Sequence, residues 1–310
     1  MRGQTTSGGY TDAQKAERSI GTMARALGYS EIITYSFISP SYYDKIRLPA
    51  DSPLRNSMKI LNPLGEDTSI MRTTILPSML EILTRNYNYR NKAVRLYEIG
   101  KVYFARPDGM ADEPKLLCLG GYGGGMDFFQ LKGAVERILA GLRISDVTFE
   151  AESENPSYHP GRCAKVYAGG KLLGVLGQIH PLAAANYGVD AELYTAELQL
   201  DGMLAARGVT PVYTPLPRFP AVTRDVAIVC SADIPVAKLS ACILAAGGQY
   251  LKGCELFDVY TGAPIPAGYK SVAFSLTLRA DDQTLTDDHA EETMQSVLKA
   301  LKETFNATIR

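Results

Sequence analysis

The chain has 310 residues, 46% of them hydrophobic and 21% charged, with a formal net charge of −1. That length predicts two domains, each with enough apolar residues for a core. The near-neutral balance excludes a global basic field, so any nucleic-acid contact has to come from a local site. Taken in chain order, the polar, Gly-rich segment 1–10 reads as the remnant of a linker in a longer chain, with no apolar stretch for a signal peptide. Thr11 and Gln14 form a capping-box pattern. The stripe Ile20, Met23, Ala24 and Leu27 predicts a helix that Gly28 stops. EIITYSF (31–37) predicts a strand, and Ser39-Pro40 opens a short helix through Ile46.

A second long helix is predicted at 76–90, with Leu76, Leu80, Leu83 and Tyr87 on one side. VRLYEIGKVYF (94–104) and LLCLGGYGG (116–124) predict strands. Asp127 and Gln130 cap a helix carrying Leu131, Val135, Ile138 and Leu142. A hairpin turning at Gly169-Gly170 follows, then a strand at 194–200. Pro211, Pro215, Pro217 and Pro220 crowd a stretch without periodicity, so 207–217 reads as a linker. Beyond it come a strand (223–230), a helix (235–246), two strands (250–260 and 269–279), a helix (287–305) and a possible final strand, ATIR. That order is the split βαβ, or ferredoxin-like, plan, which leaves one sheet face open to a ligand. The fold class expected is therefore α+β.

Several features invite a chemical reading and do not sustain it. GGYGGG (120–125) looks like a phosphate loop, but the helix after it starts with Asp127, Phe128 and Phe129, the wrong residues for an anion. Arg95 and Glu98 lie on one strand, with no second arginine in a Gly-rich strand to hold a triphosphate. His159 and His180 each precede proline and lack an acidic orienter, so they read as turn residues. Arg162 is assigned to backbone carbonyls or a partner. The acidic run Asp281, Asp282, Asp287, Asp288, Glu291 and Glu292 lacks the alternation and central Gly of a Ca²⁺ loop, and Asp287 as an N-cap explains it. Five cysteines without a C-x-x-C pair predict free thiols in a reducing cytoplasm. No Cys/His spacing fits zinc, and no 18-residue apolar run predicts a membrane span.

Four segments, 8–40, 62–104, 128–139 with 159–181, and 218–229 with 256–287, resemble phenylalanyl-tRNA synthetase β subunits of the bacterial type in this order and at these distances. The resemblance implies a class II synthetase-like antiparallel sheet with flanking helices at 11–206, catalytically inert, followed by a ferredoxin-like anticodon-binding domain at 218–310. It implies pairing with a catalytic α subunit in an α2β2 heterotetramer, contact with tRNA-Phe, and no membrane. It implies that the whole synthetase uses ATP and Mg²⁺ while this chain holds no cofactor or metal. The helices at 11–27 and 76–90 are the expected apolar surface for the α subunit.

The residues expected to meet the anticodon follow from strand alternation. Asp258 and Tyr260 share one side of their strand, with Phe257 and Val259 buried on the other. A carboxylate accepts from the N1–H and N2–H edge of guanine, and a phenol ring stacks on an unstacked base. Ser271 and Lys270 on the paired strand are expected to add hydroxyl and phosphate contacts, and Ala227 to let a base approach. Arg218 and Arg224 are weaker candidates, with an Arg224–Asp225 ion pair as the alternative. From residue 216 onward 9 Lys/Arg face 11 Asp/Glu, which predicts poor RNA affinity for this part alone. A second reading is a ferredoxin-like module that senses a small molecule on a synthetase-like scaffold. It predicts an apolar pocket between the helices and no exposed Tyr/Asp pair. A third, an active class II ligase, predicts ATP binding by the chain alone.

Overall fold

A computed structural model describes residues 8–209 and 211–310, and the first seven residues of the expected linker remnant lie outside it. The chain divides into two compact units, 1–210 and 211–310. In the first, α1 (Asp12–Ala26) begins at a complete Thr11/Gln14 capping box and ends before Gly28 at φ +85°. Then come β1 (Ser30–Glu31), β2 (Phe37–Ile38), α2 (Ser41–Lys45), β3 (Ile70–Met71), α3 (Leu76–Asn88), β4 (Val94–Lys101), β5 (Phe104–Ala105), β6 (Ala111–Asp112) and β7 (Lys115–Tyr122). They are followed by α4 (Phe128–Gly141), β8 (Val147–Ala151), β9 (Tyr158–Ala168), β10 (Lys171–Ile179), α5 (Pro181–Asn186), β11 (Tyr194–Gln199) and α6 (Leu200–Ala205).

Seven strands form one sheet in the order β1-β4-β7-β11-β10-β9-β8, antiparallel except for the β1–β4 pair. Its two faces alternate along each strand, so each face builds its own core. On one face Leu117, Leu119, Ala196 and Leu198 pack with α1 residues Ile20 and Ala24 and α4 residues Leu131, Val135 and Ile138. On the other, Leu96, Leu116 and Cys118 pack with Met79, Leu80 and Leu83 of α3.

The expected strand at 31–37 is not one strand. β1 pairs with β4 for two residues, and the chain then leaves that sheet to join β3 through β2. Between them Thr34 donates its backbone N–H and its hydroxyl to Glu98 (3.4 and 2.7 Å), which takes the segment away from β4's edge. Ile33 and Tyr35 consequently stand 91% and 82% exposed.

The second unit has β12 (Val222–Ser231), α7 (Val236–Ala246), β13 (Leu251–Tyr260), β14 (Tyr269–Leu278), α8 (Asp287–Phe305) and β15 (Thr308–Ile309). The sheet order β13-β14-β12-β15, with all three pairings antiparallel, is the ferredoxin arrangement. Val226, Ile228, Val272, Phe274 and Leu276 form the core with Leu239 and Ile243 of α7 and Val297 and Leu301 of α8. α8 is capped by Thr286, not Asp287. Thr286 has the extended conformation an N-cap needs and its hydroxyl accepts from His289 N–H, leaving Asp287 and Asp288 in the first turn against the helix dipole.

Candidate nucleic-acid interface

Because β14 is central, its alternation defines the two faces of the second unit's sheet. Val272, Phe274, Leu276 and Leu278 point into the core. Ser271, Ala273, Ser275 and Thr277 define the opposite face. Directly across from Ala273 lie Ala227 on β12 and Asp258 on β13, and across from Ser271 lie Val229 and Tyr260. Asp258 and Tyr260 thus share the open face with Ala227 and Ser271. The floor is low because its side chains are small, and Asp258 is exposed while Tyr260 is 39% exposed.

Tyr260 is held in place. Its hydroxyl donates to the Ala263 carbonyl (2.8 Å), and the guanidinium of Arg310 lies 5.6 Å from the ring centroid, a cation–π distance. Arg310 N–H donates to Ala227 O (3.0 Å), which fixes the end of the chain beside the floor. Sequence reasoning missed Arg310. The available signal was topological, since the fourth strand of a split βαβ sheet pairs with the first and so brings ATIR beside Ala227.

Other expectations need correction. Phe257 and Val259 are not a buried anchoring pair, being 59% and 47% exposed. The register steps from Leu256↔Phe274 to Asp258↔Ala273, so Phe257 is the extra residue of a β-bulge. Lys270 belongs to the other face, where its ammonium donates to the Ala232 carbonyl (3.0 Å) and to that of Ile234. It is spent on the loop between β12 and α7. Arg224 also lies off the open face and pairs with Asp287 (3.2 Å), not Asp225. Arg218 is exposed in the bend before β12. Ser271 is only 2% exposed, so its hydroxyl is covered in the free chain. The open face carries Asp225 and Glu255 as well, both across from Ser275. The exposed Asp258/Tyr260 pair runs against the small-molecule reading, which requires none.

In the first unit the catalytic-looking residues are engaged internally. Glu98 is 2% exposed and accepts from Arg72 Nη2 (2.8 Å) and Thr34 Oγ1 (2.7 Å), while Arg72 Nε reaches Lys101 O (2.9 Å). Glu197, half-buried, accepts from Thr74 Oγ1 (2.8 Å) and Ile75 N–H (2.6 Å) at the start of α3. Burial nonetheless raises its pKa. A cavity of about 490 Å³ over this sheet is lined by Glu152, Glu197 and Asp201, and its Lys115 and Lys165 are already paired with Glu17 and Glu152. His159 Nδ1 accepts from Gly161 N–H in a turn, while His180 Nδ1 accepts from Leu182 N–H as the N-cap of α5, not as a turn residue. Arg162 holds the side chains of Gln178 and Glu192 (2.8 Å each) rather than carbonyls. α3 turns its apolar residues into the core. The exposed apolar side chains of this unit instead include Phe37 of β2 and Ile33, Tyr35, Leu61 and Leu64 on the segments flanking β2 and β3. Among the described residues no group of three or more His, Cys, Asp or Glu is placed to hold a metal ion.

The two folds define the class: a synthetase-like α/β core followed by a ferredoxin-like domain. Residues 217–310 match the model of the ferredoxin-fold anticodon binding domain, and residues 1–200 that of the phenylalanyl tRNA synthetase beta chain CLM domain. The chain belongs to the phenylalanyl-tRNA synthetase β-chain family. Among its relatives, the phenylalanine–tRNA ligase beta subunit of Clostridium acetobutylicum is 40% identical over all of this chain and 39% of the relative. Those of Clostridium tetani and Moorella thermoacetica are 41% and 42% identical, over 97% and 96% of this chain and 38% of each relative. The chain therefore spans about two fifths of the length of these relatives. A crystal structure of pyrrolysyl-tRNA synthetase from Desulfitobacterium hafniense superposes with a TM-score of 0.52 at 17% identity, covering 62% of this chain and 68% of that one, a likeness of fold.

Proposed function

We propose that the chain is the anticodon-binding and subunit-pairing part of a cytoplasmic phenylalanine–tRNA ligase, assembled with a catalytic α subunit as α2β2. The observation that carries this is the open sheet face, where Asp258, Tyr260 and Arg310 stand around the small floor of Ala227 and Ala273. Asp258 has the acceptors for the N1–H and N2–H edge of guanine, the first base of phenylalanine anticodons, and Tyr260 offers a ring for stacking. Arg310 adds a cation for the flanking phosphate. Ile33, Tyr35, Phe37, Leu61 and Leu64 are the surface assigned to the α subunit, in place of the two helices.

The chain performs no adenylation in this reading. ATP and Mg²⁺ serve the α subunit, because the two lysines lining this chain's cavity, Lys115 and Lys165, are already paired with Glu17 and Glu152 and offer no free cation to a triphosphate. Assembly with a catalytic α subunit followed by charging of tRNA-Phe tests the proposal. Charging by the assembly and no pyrophosphate exchange by the chain alone is the expected result. Exchange by the chain alone, or no association with the α subunit, would overturn it.

A further inference from the structure

We propose that the loop after α3 is a second RNA contact, one that grips phosphates without reading sequence, built from Arg90 and Lys92 with Asn88 and Tyr89. It rests on the tRNA-binding reading above. The segment 85–95, RNYNYRNKAVR, holds four cations and no carboxylate; Arg85 is paired with Glu81 (3.8 Å) and Arg95 bonds Leu27 O (3.5 Å), leaving Arg90 and Lys92. The anticodon unit supplies little of this term beyond Arg310, since residues 216–310 carry 9 Lys/Arg against 11 Asp/Glu. RNA affinity comes largely from phosphate neutralisation, so further cations are needed outside that unit.

The geometry presents these cations in a fixed place. Helix α3 ends in paired backbone bonds, Arg90 N–H to Tyr87 O (2.8 Å) and Asn91 N–H to Asn86 O (3.2 Å). Tyr122 Oη donates to Asn91 O (2.9 Å). The backbone of Lys92 runs so close to Gly123, at φ +67°, that a Cβ there would lie 2.0 Å from Lys92 O. That is the use of the glycines after β7: they let the cationic loop lie against the sheet. Tyr87, Asn88, Arg90, Lys92 and Tyr122 line an open polar cavity of about 710 Å³. Its one carboxylate, Glu192, is taken by Arg162 (2.8 Å) and Tyr194 (2.6 Å).

Arg90 and Lys92 are exposed, and their side chains make no hydrogen bond or ion pair among the described residues. Tyr89 between them and the helix is 75% exposed. Arg90 also sits at φ +62°, where glycine is preferred. Arg47 and Arg143 have the same conformation; the Arg47 guanidinium holds Pro156 O (2.9 Å), whereas the exposed Arg143, like Arg90, gives its side chain no partner among the described residues. Arg90 keeps an unfavoured backbone with no internal use for its charge. Free cations, an amide and an exposed ring on a pinned loop fit a polyanion with aromatic bases, which is RNA, better than an apolar protein face.

The test uses the 310-residue chain and labelled tRNA-Phe, with binding followed from about 50 to 200 mM salt. The variant Arg90→Gly/Lys92→Gln is expected to bind about tenfold more weakly at low salt. Its slope of log K against log salt should fall by about 1.5–2, the value of two phosphate contacts. The loss should be equal for tRNA with a changed first anticodon base, whereas Asp258→Asn should lose discrimination at an unchanged slope. Arg90→Gly alone should melt no lower than the parent, because glycine prefers this backbone. An unchanged affinity and slope in the double variant, with the parent still binding and Asp258→Asn still losing discrimination, would overturn this inference alone. Retained RNA binding with lost α-subunit association would assign the loop to a protein and overturn it as well. No tRNA binding by the parent would bring down the underlying reading together with the inference.

Discussion

Two strands of this molecule carry similar side chains and do opposite things. β4 bears Arg95, Tyr97 and Glu98, and β13 bears Asp258 and Tyr260. On β4 the polar groups are consumed by the fold. Glu98 meets Arg72 and Thr34, and Tyr97 is 1% exposed with its hydroxyl bonded to Arg25 (2.7 Å) and Glu31 (2.9 Å). On β13 the Asp258 carboxylate is left in water, and the Tyr260 ring, its hydroxyl tied to Ala263 O, stands 39% exposed over a floor of small residues. Residue type does not separate the two cases. What separates them is whether a polar group is satisfied by its own chain, because a buried group must be paired while an exposed one on a sheet face is free to pair with something else.

The largest effect that sharpens this contrast is expected at Arg72. Arg72→Leu leaves the Glu98 carboxylate buried and uncompensated, and should cost about 3–5 kcal/mol in denaturant unfolding of the first unit. Arg72→Leu/Glu98→Leu should recover most of that, since an apolar pair of similar volume replaces the ion pair. A single-variant cost below about 1 kcal/mol would mean that water reaches Glu98, and the contrast with β13 would vanish.

A smaller and different effect belongs to Tyr260. Tyr260→Ala should weaken tRNA-Phe binding by about 1–3 kcal/mol, one base–aromatic stack, while unfolding of the second unit barely changes. A variant that lost stability and kept RNA affinity would make the ring a structural residue like Tyr97.

The smallest expected effect is pH-dependent. The hydrogen bond from Lys165 lowers the pKa of Glu152 from its ordinary 4.5, helped by the N–H groups of Glu154 (2.6 Å) and Asn155 (3.2 Å). A folded-state value below the unfolded one stabilises the fold above about pH 4.5, and that stabilisation is lost as pH falls through the folded value. Glu152→Gln should therefore cost about 1 kcal/mol at neutral pH, discounted for the exposed lysine, and nothing in strong acid. Parallel stability curves for parent and variant from pH 7 to about 2 would refute the assignment.

Local signals were legible in the sequence. The Thr11/Gln14 capping box, the Asp127 cap and the β-α-β-β-α-β order all depend on neighbours a few residues apart, and the structure has each of them. The faces of Asp258 and Tyr260 followed from simple alternation. What depended on distant partners was not legible. Glu98 is neutralised by Arg72, 26 residues away. Tyr260 is met by Arg310 at the far edge of the sheet. The bulge at Phe257 is a mismatch with β14 that β13 alone cannot reveal. The alternation of 31–37 does not distinguish a paired strand from an exposed apolar segment, and the predicted strand is in fact an exposed stretch carrying Ile33 and Tyr35. Lys270, next to Ser271 on β14, belongs by alternation to the opposite face, so that error was legible; only its reach to the Ala232 carbonyl is a tertiary fact.

The measurement that bears most directly on the open sheet face is aminoacylation of two tRNAs by the assembled enzyme carrying Asp258→Asn. One is tRNA-Phe and the other has its first anticodon base changed. Asn keeps one acceptor and turns an amide donor toward the guanine donors, so discrimination between the two tRNAs should fall by about 1–3 kcal/mol, one base-edge contact. Pyrophosphate exchange should be unchanged. If the variant charges both tRNAs with the parent's kinetics, Asp258 is an ordinary solvated carboxylate and the open face does not read the anticodon.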